Sequence, residues 1–386
     1  MPSLEALLTP ASVEEFKTNQ KVLASSPDAD ARKSFKKPLW RPKQVLFTPA
    51  ALDEEWGQQI YERIQNLGIP SVKLKNNRVT GLRGDNERET YAKAKQTMAV
   101  VTSPPSAYKL QPIPPSADWQ FHLAEGCPAH CQYCYLASSL TGPPVIRVFA
   151  NLPEILESTR NYIGQKKVSK PGEPTTFEVS CYTDPLSLDH LTGSLSECIR
   201  FFGEQEDQNL RWVSKFNAVE PLLSLEHNGN TRCRASVNAE AVSKGFEGGT
   251  ATVQARLQGL RQLALPKERG GGGYPIGLVV APIMAFEGWE AGYEELFEQM
   301  KEALDFECDL TFELITHRFT AKSKEVLNTW YPTSKLDMQM DARTTKRNKF
   351  GGIKYVYNKE TTKELRDFFE RKIEELFPFA ELLYWT

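Results

Sequence analysis

Residues 125–139, EGCPAHCQYCYLASS, carry three cysteines, Cys127, Cys131 and Cys134, spaced C-x3-C-x2-C. A structural zinc site asks for four Cys or His ligands. No fourth cysteine stands nearby, and His130, next to Cys131, is poorly placed to share an ion with it. Iron–sulfur clusters are also held by thiolates, usually four. Three thiolates on a cubane of four irons leave one iron with open coordination, and an open iron can bind and activate a small molecule. The chain has seven cysteines, at 127, 131, 134, 181, 198, 233 and 308. An odd number with one tight cluster argues against a secreted disulfide framework and for a metal or redox site in a reducing cytosol.

Two further groups stand where chemistry is done. Cys181 follows the β-rich run TTFEVS, and Lys215 ends the apolar run RWVSK. A reactive side chain just past a parallel strand points into the mouth of the sheet. Cys198, Cys233 and Cys308 lie in a helix or in apparent strands and read as packing residues. A basic stretch, residues 341–357, holds Arg343, Lys346, Arg347, Lys349 and Lys354 against the single acid Asp341. Gly351 and Gly352 suit a tight turn between short strands, with Phe350 as an apolar tip. Such a hairpin can touch phosphates and wedge between bases, although a solvated charged hairpin has the same composition. The formal net charge is −2, so any nucleic-acid face is local.

The elements that must position these groups follow from periodicity. Residues 1–40 are polar and broken by Pro2, Pro10 and Pro27, and read as a mostly disordered arm with a short helix at 11–18. Residues 41–117 read as a small α/β unit. It has strands at KQVLF, SVKLK and AVVTS, and helices at ALDEEWGQQIYERIQNL, opened by Asp53, and NERETYAKAKQTM. A proline-rich connector, 103–118, closes it and is not expected to run through a sheet. From 118 to 330 six strand candidates, near 119, 175, 210, 231, 274 and 309, alternate mostly with helices. Repeated β-α units demand parallel strands with helices outside, as an incomplete (β/α)6 barrel or an open doubly wound sheet. Residues 331–386 add the basic hairpin and a helix. No apolar run approaches the ~20 residues of a membrane span, and the N-terminus lacks the pattern of a signal or transit peptide, so a cytoplasmic protein is expected.

The C-x3-C-x2-C run after the first strand, with Tyr133 before the last cysteine, resembles the radical S-adenosylmethionine superfamily. The stretches IRVFANL, FEVSCYTDPLSLDHLTGSL, RWVSKFN, HNGNTRCRASVN, APIMAFEGWEAGY, FELITHRFT and KFGGIKYVY, in this order, resemble the spore photoproduct lyase family from about residue 42 to the C-terminus. The resemblance implies a partial (β/α)6 barrel and a [4Fe-4S] cluster on Cys127, Cys131 and Cys134. It implies S-adenosyl-L-methionine as cofactor and damaged DNA as partner, with no membrane. The implied reaction reverses 5-thyminyl-5,6-dihydrothymine to two thymines through a 5′-deoxyadenosyl radical, with hydrogen returned from Cys181. Tyr133 and Tyr135 match tyrosines that relay a hydrogen atom between the thiyl radical and the cofactor. Tyr133, Thr183, Asp184, Lys215 and Ser236 match cofactor-side positions. Lys346, Arg347, Lys349, Phe350 and Lys354 match the DNA-contacting hairpin. Family members carry Arg-Tyr at its tip where this chain has Lys349-Phe350, which keeps charge and wedge but loses the guanidinium fork. An electron donor such as a flavodoxin or ferredoxin is also implied. Two alternatives share these residues: the same radical chemistry on another DNA lesion or a modified RNA base, and a non-enzymatic iron–sulfur or zinc DNA-binding protein.

Overall fold

The computed structural model describes residues 39–139, 142–347 and 352–386. The expected arm up to residue 38, with its helix at 11–18, lies outside the described residues. So do Lys349, Phe350 and Gly351 of the expected hairpin tip.

The smaller sheet runs in the order Ser71–Lys73, Gln44–Phe47, Thr97–Val101, Ile146–Phe149 and Ala124–Glu125. Its first four strands are parallel and the last is antiparallel. Strand periodicity of two sorts its side chains. Val45, Phe47, Met98, Val100, Ile146 and Val148 share one apolar cluster with Ile60 and Ile64 of the helix Glu55–Asn66. Leu46 and Ala99 face the other side, against Ala94 of the helix Glu87–Lys95. Asp53 does not open the long helix. It closes a separate short one, Pro49–Asp53, because Thr48 Oγ1 accepts from Ala51 N (3.3 Å) and Pro49 fits the first helical turn.

The larger sheet runs in the order Gln111–Ile113, Ala117–Phe121, Thr175–Val179, Gln208–Ser214, Thr231–Val237, Ile276–Ile283, Leu310–Thr316 and Glu381–Trp385. All neighbours are parallel except the first pair. The six expected strands therefore lie side by side in chain order. Helices pack outside them, among them Ser194–Gly203, Val253–Ala264, Trp289–Ala303 and Lys359–Leu376. The proline-rich stretch does enter the sheet, as Gln111–Ile113. It lies on the edge, paired with one strand only (Pro112 opposite Trp119), where a residue without an N–H is tolerated. Ile146–Phe149 joins the smaller sheet and Glu381–Trp385 the larger, two strands that periodicity did not mark.

The larger sheet is curled. Arg211 on the strand Gln208–Ser214 is bonded to Glu313 on Leu310–Thr316, with two strands between them. Flat, those strands would lie about 14 Å apart. Arg234 spans similarly to Glu178 and to Glu313 (2.8 Å), and Tyr384 donates to Glu313. Curvature thus encloses a charged interior with an apolar outer shell. Gly277 makes room for it, since a Cβ there would lie 2.8 Å from Arg234 Cγ and from Thr311 Oγ1. The result is a mixed α/β fold whose strand ends open on one mouth. Among the described residues, no helix is long and apolar enough to cross a membrane.

Candidate active site

The three-cysteine loop leaves the strand Ala117–Phe121 through Ala124–Glu125 and turns at Gly126, whose φ is +81°. A Cβ at Gly126 would lie 2.6 Å from Val145 O, so glycine is required there. Beyond Cys127 the loop is tied down twice. Lys95 Nζ donates to the carbonyls of Cys127 and Ala129. His130–Cys131 pairs antiparallel with Glu247–Gly248, and Gln132 N donates to Phe246 O (2.9 Å). Cys134 packs against the apolar cluster of Ala137, Phe319, Leu327 and Met338. All three cysteines are free and partly exposed. Burial pushes the Cys127 thiol up to about 12 and raises Cys131 and Cys134 too, each within electrostatic reach of another of the three.

Among the described residues, no trio of His, Cys, Asp or Glu converges on a single metal ion. His130 Nδ1 lies 3.0 Å from Tyr91 Oη. Burial, with Lys95 nearby, pulls its pKa down to about 4. A cubane asks each thiolate to hold a different iron, so three separated cysteines on one tethered loop fit it.

The neighbouring strand ends bring up the other residues. Past Thr175–Val179, Ser180 adopts a left-handed φ of 62°, uncommon for a side-chain-bearing residue, and Cys181 follows in the turn. Tyr135 Oη donates to the Cys181 carbonyl, which links the cysteine loop to this turn. The Tyr135 ring is 61% exposed. Burial raises the Cys181 thiol well above its ordinary range, Glu178 adds to this, and Arg234 opposes it. The group is therefore a neutral S–H. Thr183 Oγ1 is buried and has no hydrogen-bond partner among the described residues. Asp184 accepts from Ser214 Oγ (2.8 Å), Lys215 N (2.8 Å) and Ser187 N (3.2 Å). Burial lifts its pKa to about 6 although these donors oppose the rise. Asp184 thus binds the second strand's turn to the third strand's end.

Lys215 Nζ donates to Ser236 Oγ (2.9 Å), Glu247 Oε1 (2.8 Å) and Ala281 O (3.3 Å), and lies 5.6 Å from the Tyr133 ring centre. Tyr133 Oη donates to Glu247, and Arg256 Nη2 donates to its other oxygen (2.6 Å). Tyr133, Lys215 and Ser236, far apart in sequence, are thus gathered around one buried carboxylate. Sequence reasoning missed Glu247 and Arg256. The available signal was Gly248-Gly249, which lets the backbone approach the cysteine loop. A Cβ at Gly249 would lie 3.3 Å from His130 Cδ2.

The hairpin pairs Thr344–Arg347 with Ile353–Val356. Lys346 and Arg347 are exposed and Lys354 is half-buried. Arg343, counted with the basic face by sequence, is instead buried with its guanidinium 3.8 Å from the Tyr357 ring centre. Flanking aromatics offer a desolvated cation a face on which to stack.

Residues 40–386 match the family described as spore photoproduct lyase. The spore photoproduct lyase of Geobacillus sp. (strain Y412MC61) is 40% identical over 349 residues, 89% of this chain and 98% of that protein. That of Bacillus subtilis (strain 168) is 38% identical over 348 residues, with the same coverage. A solved structure of a mutant spore photoproduct lyase with bound AdoMet and dinucleoside spore photoproduct matches at TM-score 0.83 and 40% identity. The match covers 90% of this chain and 100% of that one. A second, complexed with dinucleoside spore photoproduct, matches at TM-score 0.82 and 39% identity, with the same coverage. This chain belongs to the spore photoproduct lyase family of radical S-adenosylmethionine lyases.

Proposed function

We propose that this chain repairs 5-thyminyl-5,6-dihydrothymine in DNA, restoring two thymines. The observation that carries the reading is the meeting of two reactive groups at one mouth. The three-cysteine loop and Cys181 lie past adjacent parallel strands and are joined by Tyr135 Oη on the Cys181 carbonyl. In this reading residues 118–330 form a partial (β/α)6 barrel built on the six central strands of the larger sheet. Residues 41–117 form the small α/β unit, and residues 331–386 form the DNA-contacting part.

Cys127, Cys131 and Cys134 would hold the [4Fe-4S] cluster, which with S-adenosyl-L-methionine supplies a 5′-deoxyadenosyl radical. Tyr133 presents a ring beside Lys215, and Lys215 with Ser236 offers polar contacts for the cofactor's methionine or ribose groups. Asp184 fixes the strand end from which Lys215 projects, and Thr183 brings an unpartnered hydroxyl to the same turn. Cys181, neutral and at the mouth, donates its hydrogen atom to the product radical. Tyr135 then gives a hydrogen atom to the Cys181 thiyl radical, and the radical passes on through Tyr133 towards the cofactor, from which the hydrogen would return. Lys346, Arg347, Lys349 and Lys354 contact phosphates, and Phe350 wedges the stack so that the lesion can leave it. A cytoplasmic flavodoxin or ferredoxin would supply the electron.

Cys181→Ala tests the reading. The variant should cleave the cofactor and consume the lesion but restore few thymines, read by chromatography of digested oligonucleotides. A normal repair yield would make Cys181 a packing residue.

A further inference from the structure

The hairpin Thr344–Arg347/Ile353–Val356 joins neither large sheet. A two-stranded hairpin alone is marginal in water. What holds it is its root. Tyr355 N donates to Phe319 O (2.8 Å) and Phe319 N donates to Tyr355 O (3.2 Å). Their rings stack, with centres 5.3 Å apart and planes 18° apart. Arg343 precedes the first hairpin strand and Tyr357 follows the second. The Arg343 guanidinium lies on the Tyr357 ring at 3.8 Å and near that of Phe319 at 5.8 Å, so it closes the root across both strands. Its Nη1 donates to His317 O (3.3 Å), and Tyr357 Oη accepts from Ala285 N (3.0 Å).

Phe319 and His317 follow the strand Leu310–Thr316, and Ala285 follows Ile276–Ile283. The root is therefore fastened to two loops at the strand ends, the end of the sheet that carries Cys181 and Lys215. The counter-ion is weak. Asp337 Oδ2 is 3.5 Å from Arg343 Nη2, and its side chain is 60% exposed against 2% for Arg343. An arginine so enclosed is not available to a phosphate, and planar stacking is what its setting uses.

We propose that Arg343, stacked on Tyr357 and Phe319, is a positioning residue for lesion recognition: it mounts the hairpin in one pose over the mouth. This rests on the reading that the hairpin contacts damaged DNA. The division of labour is sharp. Lys346 and Arg347 set how strongly any DNA is attracted. The mount sets whether the hairpin meets the lesion in register with the active site.

The test uses the reconstituted enzyme under anaerobic conditions and fluorescent duplexes with and without the photoproduct, titrated at several salt concentrations. Arg343→Met should lower the preference for lesion over undamaged DNA by about tenfold or more, the scale of one desolvated cation–π contact. Arg343→Lys, which keeps the charge but not the plane, should fall the same way. Neither should change the salt slope or cofactor cleavage without DNA. Lys346→Ala/Arg347→Ala should flatten the slope by roughly 2 units. Should Arg343→Met lose cofactor cleavage, Tyr357→Leu is read by the same criteria. A wild-type lesion preference in the readable variant, beside a flattened slope in the double variant, overturns the mount alone. An unchanged slope in the double variant overturns the hairpin reading and the mount with it.

Discussion

Glu247 holds the site together by charge. It sits between Lys215 and Arg256, wholly buried, and takes the Tyr133 hydroxyl as well. Burial would raise its pKa, but Lys215 and Arg256 outweigh burial and hold it at about 2. Glu247→Gln leaves two buried cations short of a partner, so stability should fall by about 3–5 kcal/mol, read from denaturant unfolding. The sign with pH follows from the depressed value. The contribution is complete above the ordinary carboxylate range and is lost as pH falls through about 2. The variant should therefore lose less stability in acid than the parent. Asp184 is the opposite case, lifted to about 6 by burial. As pH falls through about 6 its carboxylate is protonated, and one acceptor for Ser214 Oγ and Lys215 N is lost. S-adenosyl-L-methionine affinity should weaken over that interval, measured by calorimetry on the reconstituted enzyme, and Asp184→Asn should remove the pH dependence. The cysteines were legible because three of one reactive type fall within eight positions. Glu247 was not, being one of 49 acids with no spacing to mark it. Its partners come from the cysteine loop, a strand end and a helix. Arg343 was misread because a basic run looks alike whether its side chains face water or rings.

At the scale of elements, alternation did most of the work. Runs such as TTFEV and LRWVS, set between amphipathic stretches, gave six strands in the order in which they pair. The strands that escaped are short or disguised. Ile146–Phe149 follows Gly142-Pro143-Pro144 and looks like the end of a turn. Gln111–Ile113 contains a proline, and Glu381–Trp385 gains its meaning only from its place beside Leu310–Thr316. Gly277 shows how tightly the curled strands are fitted. Gly277→Ala would drive a methyl against Arg234 and Thr311, its register partners on the two flanking strands. Overpacking of this kind costs about 1–3 kcal/mol, to be read as a lower denaturation midpoint with an unchanged slope.

For the molecule as a whole, the curl of the larger sheet is what sequence could not show. It depends on ion pairs between strands that are not neighbours, such as Arg211 with Glu313. That curl places the cysteine loop, Cys181 and the Lys215–Glu247 pair around one opening. The small net charge leaves DNA attraction to a local face. Anaerobic reconstitution should load about four irons per chain, and Cys127→Ala, Cys131→Ala or Cys134→Ala should each abolish cofactor cleavage. The most direct measurement is the anaerobic reaction of the reduced, reconstituted enzyme, with S-adenosyl-L-methionine, on an oligonucleotide carrying one 5-thyminyl-5,6-dihydrothymine. Restoration of two thymines, dependent on both cofactor and reductant, is the predicted result. Cleavage of the cofactor with the photoproduct left intact would contradict it.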